Sequence, residues 1–208
     1  MADQIKYWHV TYNDIHNLIR KSTPQIAKEF NPDLLIAIGS CYNTGFFPAR
    51  VMRTFLREQT TNKTLQIQAI GLSLYEPVEG ATAEQLGNEV IRTQWLGPES
   101  GKMLLGKHNL IVDEVDDTRK TLHYALSELQ KDVETELLNY PESEREALRA
   151  KTQFGIFVVH NKLKPKLAEL PSGTPYANFC GLAPLNYPWE ATIIEEHDAR
   201  ASSDKKSL

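Results

Sequence analysis

The chain is predicted to fold as α/β: a mostly parallel, twisted sheet with helices on both faces. Three observations predict this. The short runs 34–38 (LLIAI), 110–112 (LIV) and 154–159 (FGIFVV) are apolar almost without alternation, which suits strands buried on both faces. Between them lie segments with apolar residues at helical spacing, and strands that alternate with helices build parallel sheets. The 208 residues are 41% hydrophobic and 24% charged, which gives one domain a sizeable core and excludes bulk disorder.

In chain order, residues 12–30 read as helix, with Ile15, Leu18, Ile19, Ile26, Ala27 and Phe30 near helical spacing. Pro24 is expected to break this helix into two pieces. The run 34–38 is the first buried strand. Small and polar residues follow from Gly39 to Gly45, and Pro48 then fits a first helical turn. Val51, Met52, Phe55 and Leu56 form the apolar face of that helix. A second strand is expected at 65–72. Residues 75–87 (YEPVEGATAEQLG) lack periodicity and read as a loop, and 89–96 can return as the other arm of a hairpin. Gly106-Lys107 announces the strand 110–112. A long helix begins near Arg119, with Leu122, Ala125, Leu126 and Leu129 on one face; the charged stretch 131–151 extends or ends it, and Pro141 breaks it. After the strand 154–159 the chain is Pro-rich up to Tyr187-Pro188-Trp189, and the polar tail beyond His197 is expected to fray.

Lys and Arg total 23 against 27 Asp and Glu, a net charge of −4, so no basic excess supports nucleic-acid binding. Two cysteines, Cys41 and Cys180, exclude a disulfide scaffold and a cysteine-rich zinc site. No apolar run is long enough to span a membrane and the first residues lack an apolar signal core, so a reducing, cytoplasmic setting is expected. Neither GxxxxGK[ST] nor GxGxxG occurs.

The informative stretch is 110–121, LIVDEVDDTRKT. A buried strand ends in Asp113-Glu114, and Val115-Asp116-Asp117-Thr118 leads through Arg119-Lys120-Thr121 into a helix. Ligands of open α/β sheets bind beyond the carboxyl ends of strands. The first turn of the next helix offers unpaired N–H groups and a positive dipole end, to which Thr118, Thr121, Lys120 and Arg119 add donors and charge. That is the chemistry of a phosphate cradle. The upstream carboxylates suit sugar hydroxyls or Mg²⁺. Asp with Thr at a helix start is also an ordinary capping pair.

Residues 110–121 resemble the phosphoribosyl-diphosphate (PRPP) signature of type I phosphoribosyltransferases, a hydrophobic strand running into two acidic residues and a D-T-x-x-T turn. The longer run IVDEVDDTRKTLHYALSELQKD is similar to the fungal 6-oxopurine members, the hypoxanthine-guanine and xanthine enzymes. So are IGLSLYE (70–76), EVIRTQWL (89–96), PARVMRTFL (48–56) and YPWE (187–190), and the likeness covers roughly residues 5–197. The resemblance implies one phosphoribosyltransferase domain over 1–208: a core at about 30–160, a small hood from about 1–30 and 161–197, and a polar tail at 198–208. It implies transfer of 5-phosphoribosyl from PRPP to a 6-oxopurine, with Mg²⁺, by a homodimer.

Site residues follow from the same resemblance. Asp113 and Glu114 would hold the ribose hydroxyls and the metal, and Asp117 would act on the purine as general base or proton shuttle. Asp117, Thr118, Arg119, Lys120 and Thr121 would wrap the donor's 5′-phosphate, and Asp116 would be a further PRPP- or nucleotide-binding residue. Asn43, Thr44 and Gly45 would meet pyrophosphate, in a loop about three residues longer than in relatives. Ser73 and Tyr75 would open the flexible loop over the donor. The purine 6-oxygen would be read from the end of the strand 154–159. Counting from the strand selects His160 and counting back from Pro165 selects Lys162, whose ammonium is a dependable donor at neutral pH. The tryptophan that relatives carry about five residues before the second one is replaced near Pro184, so Leu185 or Tyr187 would supply the apolar face by the base, and Trp189 is either hood core or a neighbour of the purine. A non-catalytic PRPP- or nucleotide-binding regulator on the same fold is the competing reading. A receiver-like phosphoacceptor would need its acidic pair after a first strand, and here at least three strands precede it.

Overall fold

A computed structural model of the protein describes residues 7–39, 45–74, 90–181 and 185–206. The elements are β1 (Trp8–His9), α1 (Tyr12–Glu29), β2 (Leu34–Gly39), α2 (Phe46–Gln59), β3 (Gln66–Leu74) and β4 (Val90–Gln94). They continue with α3 (Ser100–Leu104), β5 (His108–Asp116), α4 (Lys120–Leu137), α5 (Glu142–Lys151), β6 (Gln153–Lys162) and β7 (Tyr176–Gly181). The chain closes with β8 (Leu185–Asn186), a 3₁₀ turn (Pro188–Glu190) and α6 (Ile194–Lys206).

The main sheet is six-stranded in the order β4-β3-β2-β5-β6-β7. Only β4 runs antiparallel, as the returning arm of the expected hairpin; the remaining neighbours pair parallel. The apolar runs lack alternation because both faces are covered. Ile36, Ile38, Ile111, Ile156 and Val158 pack under Leu122, Leu126, Leu129 and Val133 of α4. The intervening Leu35, Ala37, Leu110, Val112, Phe157 and Val159 pack under Ile15 and Ile19 of α1 and Met52 and Leu56 of α2.

Four expectations are corrected. First, α1 is continuous through Pro24. Its buried stripe, Ile15, Ile19, Thr23 and Ile26, holds it on the sheet. The carbonyl that Pro24 leaves without a donor belongs to Arg20, on the exposed side, where water can meet it. This packing sets α1 against the sheet. Second, the tail after His197 is helical. α6 docks through buried His197 and Ala201, with His197 Nε2 2.9 Å from Val10 O and Lys205 Nζ 2.6 Å from Asp14 Oδ1. Third, the Pro-rich stretch contains the edge strand β7. Fourth, the short α3 precedes β5, packed on α4, where Ser100 Oγ and Trp95 Nε1 both donate to Asp132 Oδ2 (2.7 and 2.8 Å).

The hood is small. β1 and β8, from opposite ends of the chain, pair parallel over two residues each. Asp204 of α6 accepts from His9 N at 3.0 Å and lies 2.9 Å from His9 Nδ1.

Candidate active site

In the strand order, β2 has β3 on one side and β5 on the other, so the connections diverge at the β2/β5 boundary. Loops beyond that boundary leave a crevice. Gly45 closes its floor: it donates to Ile38 O (3.0 Å), and a Cβ there would stand 2.3 Å from Ile38 O and 2.7 Å from Val112 O. Only glycine allows this approach. Beside it a cavity of about 140 Å³ lies between Ile38, Asp113 and the turn 116–122.

That turn is the corner expected from the sequence, with one difference. The N-cap of α4 is Arg119, in the left-handed region at φ 70°, ψ −4°, and no side chain caps the helix. Asp117 is therefore not the cap. His123 N donates to Arg119 O at 2.9 Å, so the amides of Lys120, Thr121 and Leu122 have no carbonyl to meet within the helix. They remain available to an anion at the positive end of the helix dipole.

Upstream, Glu114 N donates to Asp113 Oδ1 (2.9 Å). Burial, and then the adjacent Glu114 charge, push the Asp113 carboxyl well above the usual carboxylate range. Glu114 Oε2 is buried with no hydrogen-bond partner among the described residues. Two adjacent carboxylates with an orphaned oxygen fit Mg²⁺, which binds through one or two carboxylates and takes its remaining ligands from water and substrate phosphates. Among the described residues no cluster of three or more His, Cys, Asp or Glu forms a closed cage.

Asp117, which lines the same cavity as the acidic pair, is engaged by lysines at and just beyond the end of β6. Lys162 Nζ donates to Asp117 Oδ2 at 2.8 Å, and Lys164 pairs with Oδ1. Burial raises the Asp117 carboxyl, but the hydrogen bonds and charges of Lys162 and Lys164 outweigh it and hold the group below its ordinary value. Lys166 reinforces the turn from beneath: its ammonium donates to Asp116 O (2.7 Å), Asp117 O (2.9 Å) and Lys162 O (2.9 Å). Leu167 N donates to Thr118 O at 3.0 Å. Sequence reasoning missed Lys164 and Lys166. Their signal is the alternation Lys162-x-Lys164-x-Lys166 directly after a buried strand.

Asp116 is expected among the donor-binding residues. Its side chain is fully buried and turned inward, toward Arg119, Lys166 and Tyr176. His160 also turns inward. Its Nδ1 lies 2.9 Å from Tyr187 Oη, which donates to Glu114 O at 3.2 Å, and burial holds the imidazole down to about 4. Of the two lysine-or-histidine candidates, only Lys162 reaches the corner. Tyr187 is buried and stacked on Trp189 at 4.6 Å and 8°, and Trp189 packs on toward Phe47 and Tyr12. Both rings pack against the core cluster under α1 and α2. Ser73 lies in β3, paired in register with Ile91. Asn43, Thr44, Tyr75 and Pro184 lie outside the described residues.

No family model matches the chain. Among curated proteins it is 48% identical over 210 residues to a hypoxanthine-guanine phosphoribosyltransferase of Schizosaccharomyces pombe, covering 96% of each. It is 43% identical to xanthine phosphoribosyltransferase 1 of Saccharomyces cerevisiae, over 94% of this chain and 95% of that one. The chain belongs to the hypoxanthine-guanine/xanthine phosphoribosyltransferase family. It is a pentosyltransferase of the purine-salvage type. A solved structure from Neisseria gonorrhoeae, a protein holding ppGpp, superposes with a TM-score of 0.70 at 33% identity, covering 96% of this chain and 98% of that one. Among the described residues no helix is long and apolar enough to cross a membrane.

Proposed function

We propose that this enzyme transfers the 5-phosphoribosyl group of PRPP to a 6-oxopurine ring nitrogen, giving the nucleoside monophosphate and pyrophosphate. The observation that carries the reading is Asp117 with Lys162 at 2.8 Å, set at the rim of a helix start whose first amides are free. The amides of 120–122 and the hydroxyls of Thr118 and Thr121 receive the 5′-phosphate, and the Lys120 ammonium adds charge. Asp113 and Glu114 accept from the ribose hydroxyls and would hold Mg²⁺. When bound, that ion neutralises the charge gathering on the departing pyrophosphate.

Lys162 changes partner during the reaction. When the base enters, its ammonium donates to the purine 6-oxygen, and Asp117 accepts the proton lost from the purine ring nitrogen. The free carboxylate is a weak base at neutral pH, and the two lysines weaken it further. Asp117 therefore acts by position and by charge: it stands next to positive charge developing on the purine and takes the proton as bonding at the sugar proceeds.

The test is Asp117→Asn in a pyrophosphate-release assay with each 6-oxopurine. Turnover is expected to fall by roughly 10²–10⁴ while the KM for PRPP changes little. Equal losses in both would assign Asp117 to structure. Binding of PRPP without pyrophosphate release from the unaltered protein would favour the regulatory reading. The expected homodimer and cytoplasmic setting belong to the same proposal, and sedimentation of the purified chain tests the first.

A further inference from the structure

A left-handed backbone at a residue with a side chain is uncommon and persists where the surroundings hold it. Arg119 has φ 70° at the entrance to α4, where no side chain caps the helix. What holds it lies beneath. Its Nε and Nη2 both approach Asp116 Oδ2 at 2.9 Å, and the same oxygen accepts from Tyr176 Oη at 2.7 Å. Lys166 Nζ stands 3.4 Å from Oδ1. The guanidinium also lies 5.3 Å from the centre of the Tyr176 ring. The Asp116 side chain is 0% exposed and Arg119 18%. A charge pair buried to this degree is costly unless each member meets its partners, and removing one member leaves the other uncompensated.

The pairing runs from the last residue of β5 to the cap of α4, and Tyr176 joins it from the first residue of β7. Asp117 and Thr118 lie between the paired residues. The arrangement therefore fixes the peptide units whose amides face the corner, while the Asp116 and Arg119 side chains are engaged with each other and with Tyr176. We propose that Asp116, Arg119 and Tyr176 are positioning residues: the buried carboxylate holds Arg119 in the left-handed turn, so that the amides entering α4 stand ready for the donor's 5′-phosphate. This rests on the donor-site reading of the corner. Arg119 here does with a side chain what glycine does by lacking one.

The test is a double-mutant cycle on the full chain, read by the KM for PRPP, by kcat and by amide hydrogen exchange at 117–122. Arg119→Gly leaves the buried carboxylate with Lys166 and Tyr176 alone, and Asp116→Asn removes the counter-charge of Arg119. Each is expected to raise the KM for PRPP about tenfold, to change kcat less than about threefold, and to speed exchange in the turn. The double variant, with glycine in the turn and the Asp116–Arg119 pair gone, is expected to recover to within about threefold of the unaltered KM and to regain protection, because Lys166 keeps its three carbonyl partners. Tyr176→Phe, which removes one hydrogen bond only, gives a milder loss of the same kind and covers the case in which a charge variant fails to fold. Losses that multiply in the double variant would mean that the guanidinium touches the donor itself, and would overturn the proposal. So would single variants with unchanged KM and unchanged exchange. Absence of any phosphoribosyl transfer by the unaltered protein would remove the donor-site reading alone, because the exchange comparison still reports on the turn.

Discussion

Asp117 touches two lysines, and each has a separate consequence. Lys162 is placed to leave for the purine. Lys164 is 47% exposed and stays as the remaining counter-charge. With both present the carboxyl is held low, so its basic form persists on the acid side of neutrality. Lys164→Ala removes one of the two stabilising charges. The acid limb of the pH–rate profile is expected to move to higher pH, with turnover at the plateau changed little, and steady-state rates from pH 4 to 8 check it. His160 takes up its proton at lower pH than an exposed histidine, because burial disfavours the charged form. Its folded value of about 4 lies below the ordinary 6.5, so the unfolded chain takes up the proton first. Its contribution to stability is complete above pH 6.5 and is lost as pH falls toward 4, by roughly 3 kcal/mol over that window. His160→Gln should flatten this part of the stability–pH curve, measured by denaturant unfolding at pH 4, 5, 6 and 7.

At the level of elements, α1 shows packing overriding propensity. A proline inside a helix removes one hydrogen bond and crowds the preceding turn. The buried stripe on the sheet nonetheless keeps one straight run, and Thr23 Oγ1 donates back to Ile19 O at 2.7 Å just before the proline. Pro24→Ala should restore the missing bond and stabilise the protein by roughly 1–3 kcal/mol, read from the shift in denaturant midpoint. A decrease would show that the proline's rigidity in the unfolded chain outweighs the bond. The strand that supplies the site behaves as expected. β5 is apolar while it crosses the core and turns acidic at its carboxyl end, where the sheet stops and the ligand crevice begins.

Across the whole molecule, the two ends of the chain are tied together over one edge of the site. β1 pairs with β8, Asp204 engages His9, and Lys205 engages Asp14 in the first turn of α1. Deleting residues 198–208 uncovers the pocket of Ala201 and leaves His9 without its carboxylate. Thermal unfolding should then begin about 4–8 °C lower, for a loss of about 2 kcal/mol. The buried strands, the hairpin, the starts of α1 and α4 and the acidic end of β5 were legible in the sequence, because each is written locally in periodicity and in residue type at a strand end. The hood and the docked tail were not, because their partners lie nearly the whole chain away: nothing near Asp204 names His9. The same holds within the site. The run 110–121 by itself determined that carboxylates and free amides share a corner. The fold alone decided that Asp116 faces inward to Arg119 and Tyr176, that Lys162 rather than His160 meets Asp117, and that Lys166 ties the turn from below. A side chain's direction at the end of a strand depends on which neighbours cover each face, and those neighbours come from β6 and β7, which only the assembled sheet brings alongside.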